Sequence, residues 1–176
     1  MDWLVSVLHF SLIVSACDPY GLHRESKKKY LTQIIKHAEE KKQDPYELLA
    51  IAITESSLKP GAYSHTHDTG LFQVNCKWWY KKFKYKNIAA CKQAMFHPET
   101  NITKGIYILN SFRSRYKQCQ GELAYHCYNG GQGWMRSRNK DKILNYGKKV
   151  KERKYKLHKY YTDLIEEIRA KFKERS

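Results

Sequence analysis

Residues 44–57 read Asp44-Pro45-Tyr46-Glu47-Leu48-Leu49-Ala50-Ile51-Ala52-Ile53-Thr54-Glu55-Ser56-Ser57, and the rest of the chain is best understood outward from them. Asp44 is a helix cap by type. Pro45 suits the first turn, where a missing N–H costs nothing, and Glu47 stands three residues after the cap, the capping-box position. The helix should stop near Ser57, because Pro60-Gly61 cannot continue it. Glu55 follows Ala52, Ile51 and Leu48 by three, four and seven residues, so it shares their apolar face. Such a face points into a core, where burial penalises a charged carboxyl and keeps it protonated. A neutral acid at neutral pH is suited to giving a proton to a departing oxygen. Taken alone, Glu55 could equally fray outward at the helix end, so its companions must decide.

Several other segments have helical patterning. Between Tyr30 and Lys42, Leu31, Ile34, Ile35 and Ala38 mark one helix face. A further helix should begin near Pro98 and run through Ile102, Ile106 and Leu109, and another should cover Glu122 to Tyr128 and close at Gly130-Gly131. From Lys140 onward, Ile143, Tyr146 and Val150, then Leu157, Tyr161 and Ile165, predict one or two basic amphipathic helices. These are read either as a packed helix with a charged outer face or as a contact for anionic lipid or polymer. Ala62 to Asn75 is rich in Gly, Ser, Thr, His and Asp, with a short apolar stretch at Gly70 to Val74, and reads as a loop or short hairpin. The 176 residues suffice for one domain. The expected fold class is mainly α, one helical domain with a short hairpin or loop.

The net charge is +16, from 33 Lys and Arg against 17 Asp and Glu, which favours polyanions: nucleic acid, anionic lipid or acidic wall polymers. Trp3 to Ser15 is an almost continuous apolar run of signal-peptide length, too short for a comfortable membrane span. It ends in Val14-Ser15-Ala16-Cys17, which resembles a lipoprotein cleavage box with Cys17 as the lipidated residue, and which also suits an ordinary signal peptidase. Met1-Asp2 lacks the basic residues usual before such a run, so a buried segment or an uncleaved anchor is the alternative. Setting Cys17 aside leaves Cys76, Cys91, Cys119 and Cys127, which an exported compartment would allow to pair. Three pairings are open; the shortest loops join Cys76 to Cys91 and Cys119 to Cys127. No CxxC or CxH spacing occurs, so no metal is expected, and no cofactor is called for.

Three segments complete the setting of Glu55: Glu55-Ser56 itself, Gly70-Leu71-Phe72-Gln73-Val74-Asn75, and Ala124-Tyr125-His126-Cys127-Tyr128-Asn129-Gly130-Gly131. Together they resemble the motifs of the soluble lytic transglycosylase catalytic domain, of the lysozyme-like superfamily. His97 to Leu109 is similar to that family's connecting helix and Asn145 to Tyr155 to its closing helix. The resemblance is nearest to small transglycosylases that accompany secretion, conjugation and pilus machines. It departs from the usual pattern at Phe72, where Met is common, and at Cys127, where a small residue is common. The resemblance implies a lysozyme-like fold and cleavage of the MurNAc-GlcNAc β-1,4 bond of peptidoglycan with a 1,6-anhydro product. Glu55 would be the general acid and then base. Ser56 would orient the substrate or Glu55, Gly70 and Gln73 would line the sugar cleft with Asn75, and Tyr128 and Asn129 would hydrogen-bond near Glu55 or the N-acetyl group. Trp78 leads the cluster Trp78-Trp79-Tyr80, of which one or two rings should face sugar and the rest the core.

The reaction has two readings. A retaining lysozyme needs a second carboxylate, whereas a lytic transglycosylase needs one. Asp68-Thr69-Gly70-Leu71-Phe72-Gln73 is also similar to chicken-type lysozymes, which makes Asp68 the possible second carboxylate and keeps hydrolysis open; Tyr128-Asn129 favours the lyase. A non-catalytic wall- or nucleic-acid-binding module is the reading from another class, and no specific nucleic acid is expected as partner. The expected organisation is a signal peptide at 1–16, a tether at 17–29, a catalytic domain at 30–155 and a basic C-terminal helix at 156–176. The expected location is the bacterial cell envelope, with a lipid anchor in the membrane and the domain facing the periplasm.

Overall fold

In a computed structural model, which describes residues 18–173, seven helices surround a two-stranded hairpin. In chain order they are α1 (Glu25–Glu40), α2 (Pro45–Ser56), β1 (Asp68–Thr69), β2 (Val74–Asn75), the one-turn α3 (Cys76–Trp79), α4 (Ile88–Met95), α5 (Pro98–Arg115), α6 (Leu123–Gly130) and α7 (Lys140–Lys173). This is the mainly α, lysozyme-like architecture expected. The signal segment at 1–16 and Cys17 lie outside the described residues. Among the described residues no helix is long and apolar enough to cross a membrane.

The centre of the fold is α2. Asp44 Oδ1 accepts from the Tyr46 N–H at 2.9 Å and from the Glu47 N–H at 3.3 Å, satisfying amides that the first turn would leave free. The helix ends at Ser57, whose left-handed φ of 53° turns the chain away before Pro60. Every residue from Pro45 to Ile53 is buried, so the apolar stripe read from the sequence is one side of a helix enclosed all round. It packs chiefly on α7 and then on α1. Glu47 does not complete a capping box. Its carboxylate instead accepts from both terminal nitrogens of Arg113, at 3.1 and 2.8 Å, and from the Tyr125 hydroxyl at 2.7 Å, locking α2 to α5 and α6.

Two expected boundaries are corrected. The tether at 17–29 is a docked segment over its described part: Leu22 is fully buried, Tyr161 donates to Asp18, and the Tyr20 N–H donates to the Tyr161 hydroxyl at 2.9 Å. The helix expected from Tyr30 already begins at Glu25. Nor does the chain divide at 155 and 156, because α7 runs unbroken for 34 residues, about 50 Å of helix. Leu157, Tyr161, Ile165 and Ile168 join the same core as Leu31 and Leu48. The charged residues between them form its outer face. Helix α4 went unforeseen because only Ile88, Cys91 and Met95 mark its apolar side. The disulfides join Cys76 to Cys91 and Cys119 to Cys127, the shortest-loop pairing.

Candidate active site

A cleft of about 690 Å³ opens where the last turn of α2 meets the hairpin, α3, α5 and the end of α6. Glu55 and Asp68 both line it, with Gln73, Asn75, Trp78 and Tyr128. Glu55 is half-buried, and its Oε1 accepts from the Tyr146 hydroxyl of α7 at 2.6 Å. Burial pushes the carboxyl up to about 8; the Tyr146 hydrogen bond pulls it down, and the charge of Asp68 pushes it further up. No Lys or Arg among the described residues pairs with it. Glu55 therefore holds its proton at neutral pH and has one ordered donor ready for the anion left when that proton departs. The Tyr146 hydroxyl is itself held far above the usual phenol range, by burial first and then by Glu55, so it stays a donor.

Asp68 has the opposite surroundings. Its Oδ2 accepts from the Ser64 and Thr66 hydroxyls at 2.7 and 2.5 Å, and its Oδ1 from the Asn75 amide at 2.7 Å. The hairpin explains the last contact, since Asp68 and Asn75 are direct partners in the β1–β2 register. Three donors fix the carboxyl at the cleft wall.

The turn between the two strands is held from three sides. Ser56 Oγ donates to the Leu71 carbonyl at 2.8 Å from α2, and the Tyr128 hydroxyl donates to the Phe72 carbonyl at 2.7 Å from α6. From α5, buried Asn101 accepts the Phe72 N–H at 2.7 Å and donates to the carbonyls of Thr69 and Met95, at 2.7 and 2.9 Å. Gly70 is required here on two grounds. Its φ is +81°, and a β-carbon would lie 2.2 Å from Asn101 Nδ2 and 2.4 Å from the Met95 carbonyl oxygen.

The expected site residues thus divide. Glu55, Asp68, Gln73, Asn75, Trp78, Tyr128 and Asn129 line the cleft. Ser56 and Gly70 do not: both are buried behind the wall, Ser56 bonded to backbone carbonyls and Gly70 packed under Asn101. Tyr128 reaches the Phe72 carbonyl rather than Glu55, and the Cys119–Cys127 bridge behind it leaves that bond intact. Gln73 spends its amide nitrogen on the carbonyls of Ala62 and Gly70, at 3.1 and 2.9 Å. Of the aromatic trio, Trp78 is 74% exposed at the cleft, Trp79 lines it while stacking on Phe83 at 5.6 Å, and Tyr80 packs on the core.

Two residues of the site were missed in the sequence. Asn101 is a polar residue at an otherwise apolar helix position, next to Ile102, and that mismatch was its only local sign. Tyr146 carried the spacing of a core residue, and nothing local distinguished it. Among the described residues no group of three His, Cys, Asp or Glu side chains could hold a metal ion.

A family model described as the transglycosylase SLT domain matches residues 32–153, well over half of the chain. No protein with a curated description matches it.

Proposed function

The chain belongs to the transglycosylase SLT domain family, whose enzymes act on peptidoglycan, and from that premise we propose that Glu55 is the acid and then the base of a lytic cleavage of the glycan strand. The observation that supports this reading is the Glu55 carboxyl, kept protonated at the cleft wall and bonded to a single neutral hydroxyl. In the proposed reaction Glu55 gives its proton to the oxygen linking MurNAc to GlcNAc as the bond from that oxygen to C1 breaks. The carboxylate then takes the proton of the muramic 6-hydroxyl while its oxygen bonds to C1. The 1,6-anhydro ring closes without water, and Glu55 ends protonated as it began. Tyr146 steadies the carboxylate between the two transfers.

A second reading rests on Asp68, which lines the cleft with Glu55 and is held there by three hydrogen bonds, as the second carboxylate that a retaining hydrolase sets beside the cation developing at C1. Water would then supply the new oxygen at C1 and the product would carry a reducing end. Mass spectrometry of digested murein separates the two: muramic ends lighter by one water support the lyase, and reducing ends in their place overturn it.

An enzyme of this substrate works in the cell envelope. Anchoring through Cys17 and service to a secretion, conjugation or pilus machine belong to the same proposal. A fatty-acid label that is absent from the wild-type chain would remove the anchor.

A further inference from the structure

From Asp18 onward the chain is held on the second half of α7. Asp18 Oδ1 accepts from the Tyr161 hydroxyl and from the Leu22 N–H at 2.8 Å, and the Tyr161 hydroxyl accepts from the Tyr20 N–H at 2.9 Å. The rings of Tyr20 and His23 lie 6.1 and 5.9 Å from that of Tyr161, Lys27 donates to the Tyr20 carbonyl at 2.6 Å, and Leu22 is fully buried. Cys17 immediately precedes this dock, and neighbouring Cα atoms are only about 3.8 Å apart. A lipid on Cys17 would therefore enter a membrane with almost no slack between the bilayer and the docked segment.

The surface around the dock suits such a neighbour. Glu152 and Arg153 are close enough to Tyr20, and Glu167 to Lys28, to act on them through charge, so the dock follows the flank of α7 between 152 and 167. Lys156 and Tyr160 share that flank, three and seven residues after Arg153, and the Lys159 ammonium lies over the Tyr160 ring at 5.1 Å. All three are exposed, as are Arg24 and Lys28 beside the start of α1. Most acids of the flank are already matched: Glu25 pairs with Lys28, Glu152 with Lys148 and Glu167 with Lys171. Arg24, Lys156 and Lys159 form no ion pair among the described residues, and Asp163 is the acid left against them. Unpaired cations around an exposed phenol match a layer of anionic headgroups.

We propose that the face formed by Arg24, Lys28, Lys156, Lys159 and Tyr160 lies on the anionic headgroups of the membrane that holds the anchor, with residues 18–23 acting as a rigid mount for the domain. This rests on the proposed anchoring through Cys17. Tyr146, which holds Glu55, stands 15 residues before Tyr161 on the same helix, about 22 Å along its axis. The mount therefore limits how far the cleft can stray from the bilayer, and the enzyme cuts strands close to the membrane.

The test maps lysine acetylation by mass spectrometry on the full acylated chain, bound to vesicles of phosphatidylethanolamine with phosphatidylglycerol and, for reference, in detergent. Lys156 and Lys159 should react about fivefold more slowly on the vesicles, the worth of one cation at an anionic surface. Lys81, Lys84 and Lys86, in the turn after α3, should react alike in both. On phosphatidylcholine vesicles the protection should shrink, and equal protection there overturns the choice of anionic headgroups. A Gly-Ser linker of about ten residues between Cys17 and Asp18 adds roughly 17 Å of reach. It should return Lys156 and Lys159 to their detergent rates and leave cleavage of soluble strands unchanged. Protection that survives the linker overturns the mount, and so does a wild-type chain whose lysines all react alike on vesicles. A fatty-acid label keeps the two readings apart. A labelled chain without face-specific protection keeps the anchor and loses the mount, whereas an unlabelled chain loses both.

Discussion

Glu47 and Glu55 sit on the same helix, about 12 Å apart along its axis, and meet opposite fates. Glu47, near the start of α2, is buried among donors: Arg113 grips both oxygens and Tyr125 adds a hydroxyl. Glu55, in the last turn, has one hydroxyl and, among the described residues, no cation beside it. The first carboxylate is fully satisfied and ties three helices together. The second keeps its proton because nothing nearby stabilises its charge enough to offset burial. Equal chemistry on one helix meets a full set of donors or a single hydroxyl according to what the neighbouring elements bring to it.

The strongest way to break this contrast is Glu55→Gln. Murein clearing should fall by about 10²- to 10⁴-fold, the usual worth of an acid–base residue, with folding retained. Stability should move the other way. Below the ordinary carboxyl range both folded and unfolded chains hold the proton, so Glu55 costs nothing. Between about 4.5 and about 8 the unfolded chain releases it while the folded chain keeps it, so wild-type stability declines over that window. Glu55→Gln escapes the decline, and urea denaturation should find it more stable than wild type by roughly 1–3 kcal/mol at pH 8, allowing for partial exposure of the carboxyl, with the gap gone at pH 4.

Removing the partner of the other carboxylate should do the reverse. Arg113→Ala leaves Glu47 buried with only Tyr125 and should cost about 2–4 kcal/mol in urea denaturation, while the folded fraction keeps its specific activity. A loss of activity at unchanged stability would refute the structural role.

Tyr146→Phe sharpens the contrast at smaller scale. Without the hydroxyl the Glu55 carboxylate loses its donor, so kcat/KM should drop by about tenfold. The alkaline limb of its pH profile, expected near 8 in wild type, should move upward, because that hydrogen bond lowers the Glu55 pKa. A limb that stays in place would separate Tyr146 from the acid.

Local signals carried part of this site. Asp44 and Pro45 began α2, and Pro60-Gly61 required its end near Ser57. The spacing of Glu55 placed it on the buried helix, and the segments around Gly70 and Tyr128 proved to be neighbours of it. Their duties differed from expectation. Ser56 and Gly70 stand in the wall of the cleft because the Leu71 carbonyl and the Asn101 side chain claim the space around them. A motif records that residues are needed together without saying which of them touch the substrate.

The sequence by itself determined the start and end of α2, the helical phase of Glu55 and the charge of α7, because caps, periodicity and composition act over a few residues. Only the tertiary structure decided that Tyr146, 91 residues further on, would donate to Glu55, that Asn101 would hold the turn, and that 18–29 and 156–173 would dock on one core. Those outcomes depend on which faces of separate elements come together. Close packing settles that for all of them at once, so no single segment could carry the sign in advance.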